Sequence, residues 1–161
     1  VTLISAFNNL PNLKLKIVGS GPMAEQLKSI AGENIEFCGY QSGDTLKQTI
    51  RGSKAIVVPS EWYENNPMTI IEASAAGVPT IGARIGGIPE IVPEGKNGYT
   101  FSPRSISELT DAITKLESLS VEQYSEMSRN CRLFAEENFS EKALYSKIMN
   151  FYTSILESYE S

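Results

Sequence analysis

The stretch that decides the fold runs from Ala55 to Ile81 and reads AIVVPSEWYENNPMTIIEASAAGVPTI. It opens with an unbroken apolar run, Ala55 to Val58, stopped by Pro59. A short, rich-in-valine run of that kind is how a strand buried on both faces reads. Asn66 is then a natural helix N-cap and Pro67 a natural first helical residue, because the missing proline amide is one that a helix start leaves unpaired anyway. The predicted helix runs from Pro67 through Ala76 and is closed by Gly77, with Pro79 just beyond. Val78 to Ile81 then returns as a strand. Strand, helix and strand joined this closely form a parallel crossover unit.

The same alternation extends in both directions. Upstream, Leu15 to Val18 is a strand stopped by Gly19-Ser20-Gly21-Pro22, and Pro22 suits the first turn of a helix running to about Ala31. Ile35 to Cys38 is a strand, Thr45 to Arg51 a short helix, and Leu3 to Leu10 an apolar helical pattern. Downstream, a Gly86-Gly87 loop leads to a turn opened by Pro89, and Gly98 to Phe101 is a strand after the Asn97-Gly98 turn. The rest is helical. Ser105 to Glu108 has the spacing of a capping box, with Ile106, Leu109, Ile113 and Leu116 at helical spacing behind it. Two further helices cover Val121 to Glu137 and Ser140 to Glu157. The expected fold is therefore α/β, a doubly wound parallel sheet of Rossmann-like type with a helical C-terminus, in a single domain over 1–161. The apolar stripe Leu133, Phe134, Phe139, Tyr145, Ile148, Phe151, Tyr152 and Ile155 reads as core.

Composition narrows the function. The 161 residues are 41% hydrophobic and 20% charged, as in an ordinary globular domain. A net charge of -5 lacks the basic footprint of a nucleic-acid binder, so nucleic acid is not expected as a partner. There is no histidine, which removes Ser-His and Cys-His catalysis and the commonest metal ligand. Neither a metal nor a cofactor is expected. Cys38 and Cys131 allow one disulfide but no framework, and a reducing, cytoplasmic setting is the simpler reading.

Ligands on such a sheet bind beyond the carboxyl ends of the strands, which directs attention to the loops after Val18, Cys38, Val58 and Ile81. The amides of Met68, Thr69 and Ile70 form an unpaired helix start at that end, and such a start attracts phosphate. Glu64 lies just before it and Glu72 one turn inside it. Glu72 reads in two ways. It is a solvent-facing residue on an outer stripe, or a carboxylate that accepts hydrogen bonds from a ribose diol.

Glu64 and Glu72, with seven residues between them, stand between Pro59-Ser60 and Ala73-Ser74-Ala75-Ala76-Gly77-Val78-Pro79. With Val18-Gly19-Ser20-Gly21-Pro22, Phe37-Cys38-Gly39, Gly86-Gly87-Ile88-Pro89-Glu90-Ile91-Val92 and Asn97-Gly98, this order resembles the group 1 (family 4) retaining glycosyltransferases of GT-B fold. The resemblance implies the C-terminal half of such an enzyme. It implies ribose binding at Glu72 and contact with the transferred sugar at Glu64, Asn65 and Asn66. Diphosphate would be held at Pro67, Met68 and Thr69, the base would be lined by Gly39, Tyr40 and Gln41, and Gly19, Gly21, Gly86 and Gly87 would border the donor cleft. The implied partners are a UDP- or GDP-sugar, an N-terminal acceptor domain outside this chain, on which part of the C-terminal apolar stripe would dock, and a polysaccharide or glycolipid acceptor, with membrane association only through that other domain. A strand bearing an Arg and a Lys opens the family domain and is not matched here, so weak donor binding and no transfer are expected of this chain alone. A sugar-nucleotide epimerase and a non-catalytic nucleotide-binding module share the architecture and remain as alternatives.

Other features read more plainly. Gly19-Ser20-Gly21 lacks the third glycine of a dinucleotide fingerprint. Glu90 reads as structural, capping a helix start or holding its loop. Glu61, Glu64 and Glu72 do not define the paired geometry of a glycosidase. Trp62 and Tyr63 fit packing beneath the loop at least as well as stacking on a sugar or base.

Overall fold

A computed structural model describes residues 1–159, so the last two positions of the expected domain, Glu160 and Ser161, lie outside the described residues. The chain alternates as read: α1 (Thr2–Asn8), β1 (Leu15–Val18), α2 (Ala24–Ser29), β2 (Ile35–Gly39), α3 (Gly43–Arg51), β3 (Ile56–Val58), α4 (Met68–Ala75), β4 (Thr80–Ala83), α5 (Ile88–Ile91), β5 (Gly98–Phe101), α6 (Ile106–Glu117), α7 (Val121–Phe139) and α8 (Glu141–Tyr159). Every strand pairing is parallel. The strands form two sheets, β1-β2 and β3-β4-β5.

Helices cover both faces of the three-stranded sheet, and β3 shows this residue by residue. Val57 packs into a core that Ile4 and Phe7 of α1 share with Leu15, Ile35, Ile81, Phe101, Leu109 and Ile113. Ile56 and Val58, pointing the other way, pack against Ile70, Ile88, Ile91 and Val92. That alternation is the two-residue period of a strand with apolar groups on both sides. The first core spans both sheets and so joins them into one body. Asn34 ties α1 to β2 by donating from Nδ2 to the carbonyls of Phe7 (3.0 Å), Leu10 (3.2 Å) and Leu13 (2.9 Å). Gly98 permits the approach of β5 to β4, since a Cβ there would overlap the Thr80 carbonyl oxygen.

Three expectations are corrected. Helix α4 starts at Met68, with Pro67 itself as N-cap in extended conformation (ψ 110°). Its carbonyl already accepts from the Ile70 amide at 3.0 Å, so Asn66 is displaced from the cap and makes no capping bond. At α6, Ser105 caps the Glu108 amide at 3.2 Å, but the Glu108 carboxylate does not turn back to reciprocate. It accepts from the Ser102 amide (2.8 Å) and from Arg84 (3.2 Å) instead. The reciprocal capping box forms at α7, between Ser120 and Gln123. The C-terminal stripe is the largest departure. Phe134 and Phe139 pack against the second core, whereas Leu133, Tyr145, Ile148, Phe151 and Tyr152 are exposed. Nothing among the described residues covers that side of α8, so helical periodicity alone did not make it core.

Candidate functional site

The carboxyl ends of the strands carry a rim of loops held to one another by their backbones. After β1, Gly19 has φ +135°, a conformation that side chains disfavour, and its amide donates to the Gly39 carbonyl at 2.8 Å. The glycine turns after β1 and β2 are thereby joined. Gly21 sits in open space with ordinary φ, so no steric demand from the described residues requires glycine there. Beyond Gly39 (φ +66°), Tyr40 is 76% exposed. Gln41 is half-buried, its Oε1 accepting from Thr49 at 2.7 Å.

The loops after β3 and β4 are locked more tightly. The Gly87 amide donates to the Glu64 carbonyl at 2.8 Å. A Cβ on Gly86 would overlap the Glu64 backbone, and one on Gly87 would overlap the Asn65 carbonyl oxygen. The two glycines are therefore a requirement of close backbone approach, not a flexible connector. Within the loop, Ser60 Oγ donates to Glu64 Oε1 at 3.1 Å. The sequence left one contact unread. Arg104, after β5 and with φ +66°, donates from Nε to Glu61 Oε2 at 2.7 Å, and Thr2 reaches Glu61 Oε1 at 3.5 Å. The pair joins residues 43 positions apart in sequence, and no local signal could have announced it. Arg84 is engaged by Glu108.

Helix α4 points its start at this rim. No acceptor contacts the Met68 and Thr69 amides among the described residues, while the Ile70 amide, expected to be free, is taken by Pro67. Met68 is 61% exposed, and Asn65, Asn66 and Thr69 are exposed around it. The tip is open. Glu72 lies on the outer side of α4, opposite the buried Ile70, Ala73 and Ser74. It is exposed and makes no hydrogen bond or ion pair with the described protein. Its exposure removes the need for a protein partner. It looks across a groove of about 310 Å³ toward Gly43, Leu46, Lys47 and Arg51 of α3, whose first turn follows directly from Tyr40 and Gln41. The structure thus assembles Glu64, the α4 tip, Glu72 and the β2–α3 loop along one rim.

Glu90 departs from its reading. It is exposed within α5 and neither caps a helix nor holds a loop. Both cysteines are free. Cys131 is buried, donates to the Asn97 carbonyl at 3.4 Å, and has its pKa pushed up to about 12 by burial. A larger groove, about 700 Å³, lies between the 93–97 turn and α7. It sits at the amino end of β5, and none of the residues that the resemblance assigns to the donor lines it.

A parallel α/β domain with an open helix start at the strands' carboxyl ends is a nucleotide-binding class of architecture. Residues 1–134 match the family described as "Glycosyl transferases group 1", and the chain belongs to that family. It is 36% identical over 121 residues to a sulfoquinovosyl transferase of Arabidopsis thaliana, covering 73% of this chain and 23% of that protein. It is 31% identical over 147 residues to an N-acetyl-alpha-D-glucosaminyl L-malate synthase of Bacillus anthracis, covering 88% and 36%. The chain thus spans about a quarter to a third of the length of these relatives. Among solved structures, sucrose-phosphate synthase of Thermosynechococcus elongatus superposes with a TM-score of 0.81 at 24% identity, over 98% of this chain and 42% of that one. Anabaena HepE in complex with UDP-glucose gives 0.80 at 22%, over 95% and 44%. The fold is that of the C-terminal domain of GT-B glycosyltransferases.

Proposed function

We propose that this chain binds the nucleotide-sugar donor of a retaining hexosyltransferase, with an acceptor hydroxyl displacing the nucleoside diphosphate. The observation that carries this reading is the open start of α4, with two unpaired amides, between Glu64 on one side and Glu72 on the other. A helix start stabilises a diphosphate through its amides and its partial positive charge. That effect grows as the leaving group gains charge in the transition state. Glu72, unpaired at the mouth of its groove, is the acceptor for the ribose hydroxyls. Glu64, oriented by Ser60 and Gly87 and flanked by Asn65 and Asn66, meets the hydroxyls of the transferred sugar. These groups position the donor without attacking it. Pro67 has no amide to offer the diphosphate and contributes only its place at the helix cap. That UDP-glucose sits in the structurally similar HepE supports a donor of this class; GDP-sugars share the diphosphate and ribose.

The acceptor domain, with any base it carries, and the paired cations for the diphosphate are assigned to a part of the enzyme outside these residues. The exposed side of α8 suits contact with that part. The acceptor is proposed as a polysaccharide or glycolipid. No helix among the described residues is long and apolar enough to cross a membrane, and membrane contact is assigned to the other domain. Transfer needs no metal or cofactor in this proposal. Calorimetry of the chain against UDP-glucose and GDP-mannose tests it: weak binding of at least one, unaffected by EDTA and without sugar transfer, is expected. Absence of binding to both, or turnover by the chain alone, contradicts it.

A further inference from the structure

Trp62 and Tyr63 are 82% and 89% exposed, the highest values among the large apolar side chains described. Packing beneath the loop is thus ruled out. The exposure is not slack, because their loop is held on both sides. Arg104 holds Glu61 at 2.7 Å, Ser60 holds the Glu64 carboxylate at 3.1 Å, and the Gly87 amide holds the Glu64 carbonyl at 2.8 Å. Two adjacent aromatic side chains kept in water forgo the stabilisation that burial would give them, and such a patch marks a contact site.

We propose that Trp62 and Tyr63 form a stacking platform for a pyranose ring of the acceptor, an inference that rests on the donor-site reading and extends it by one subsite. A sugar ring has an apolar C–H face and a rim of hydroxyls. The indole and phenol rings accept the face, and the neighbouring carboxylates accept from the rim. Glu64 Oε2 has no protein donor among the described residues, so it can serve a hydroxyl from either sugar. Adjacency in sequence places the platform next to the residues that meet the transferred sugar, where an acceptor hydroxyl must arrive.

Two other occupants fit less well. An anionic membrane surface attracts basic segments, but Glu61 and Glu64 flank these rings and the chain carries a net charge of -5. The buried centre of a protein interface is depleted of charge, whereas here carboxylates bracket the aromatic pair.

Trp62 is the only tryptophan in the chain, so indole fluorescence reports on this spot alone. The chain, saturated with UDP, is titrated with maltose, lactose, chitobiose and mannobiose while Trp62 emission and its quenching by acrylamide are followed. At least one disaccharide is expected to give a saturable shift and to shield the indole. Tyr63→Ala should weaken that response roughly 3- to 10-fold while leaving UDP affinity within about twofold and far-UV dichroism unchanged. No response to any disaccharide in the UDP-loaded chain overturns the platform. So does an equal response to glycerol, or a response only to vesicles of phosphatidylcholine and phosphatidylglycerol. Failure of UDP to bind overturns the donor reading instead; a disaccharide response in that case keeps the platform.

Discussion

Replacing Gly87 with alanine tests the construction of the rim most directly. The Gly87 amide donates to the Glu64 carbonyl at 2.8 Å. A new Cβ would overlap the Asn65 carbonyl oxygen and lie 3.2 Å from its carbonyl carbon. Both obstacles are backbone, so neither can swing aside by a rotamer change. The loops must part by on the order of 1 Å, and overpacking of this kind costs about 1–3 kcal/mol. Loss of the hydrogen bond adds about 1 kcal/mol if the loops separate fully. For a domain of this size, an overpacking cost in that range lowers Tm by roughly 2–12 °C. Gly21→Ala is the control, with ordinary φ and nothing within 4 Å of the added methyl; it should stay within about 0.5 kcal/mol of wild type. Thermal unfolding by circular dichroism gives the stability, and calorimetry with UDP and UDP-glucose gives the function. Because the displaced atoms belong to Glu64 and Asn65, the variant should lose affinity for UDP-glucose more than for UDP. If Gly87→Ala matches Gly21→Ala in Tm and keeps the wild-type ratio of the two affinities, the close approach of these loops does not hold the site.

Glu72→Ala should weaken UDP binding by roughly 1.5–3 kcal/mol, the value of hydrogen bonds to a charged group, with stability nearly unchanged since this side chain has no protein partner; an unaltered calorimetric Kd removes the ribose assignment. The Ser102 amide holds the Glu108 carboxyl below its usual pKa, with Arg84 contributing in the same direction. A depressed folded-state pKa gives stability that is present above the unfolded value of about 4.3 and is lost as pH falls through the folded value. Wild type should therefore lose more stability on acidification through that window than Glu108→Gln, and parallel unfolding curves would contradict the coupling. Burial raises the pKa of both thiols, to about 12 for Cys131. At mildly alkaline pH a thiol reagent should label half-buried Cys38 first and reach Cys131 only on unfolding; equal rates would show that Cys131 is open to solvent.

β1 and β3 were legible because each is a short apolar run ended by glycine or proline, and β5 falls where the Asn97-Gly98 turn puts it, whereas β4 begins at Thr80, two residues beyond the expected Val78. The start of α4 was misplaced by one residue because Asn66 and Pro67 both suit a helix start, and only the backbone shows that Pro67 occupies the cap. The α8 stripe misled for a related reason. Periodicity reports that a helix has an apolar side, not what covers it, and among the described residues nothing does.

The sequence by itself determined the alternation of strands and helices, the family, and the carboxylates on either side of the α4 start, because these are encoded in local runs and spacings. Only the tertiary structure decided that Gly86 and Gly87 press on the backbone of Glu64 and Asn65, that Arg104 reaches Glu61, and that Trp62 and Tyr63 stand in water. Those facts depend on how loops from different strands approach one another across the end of a sheet. Such an approach is set by the packing of the whole domain, and no segment of the chain carries it alone.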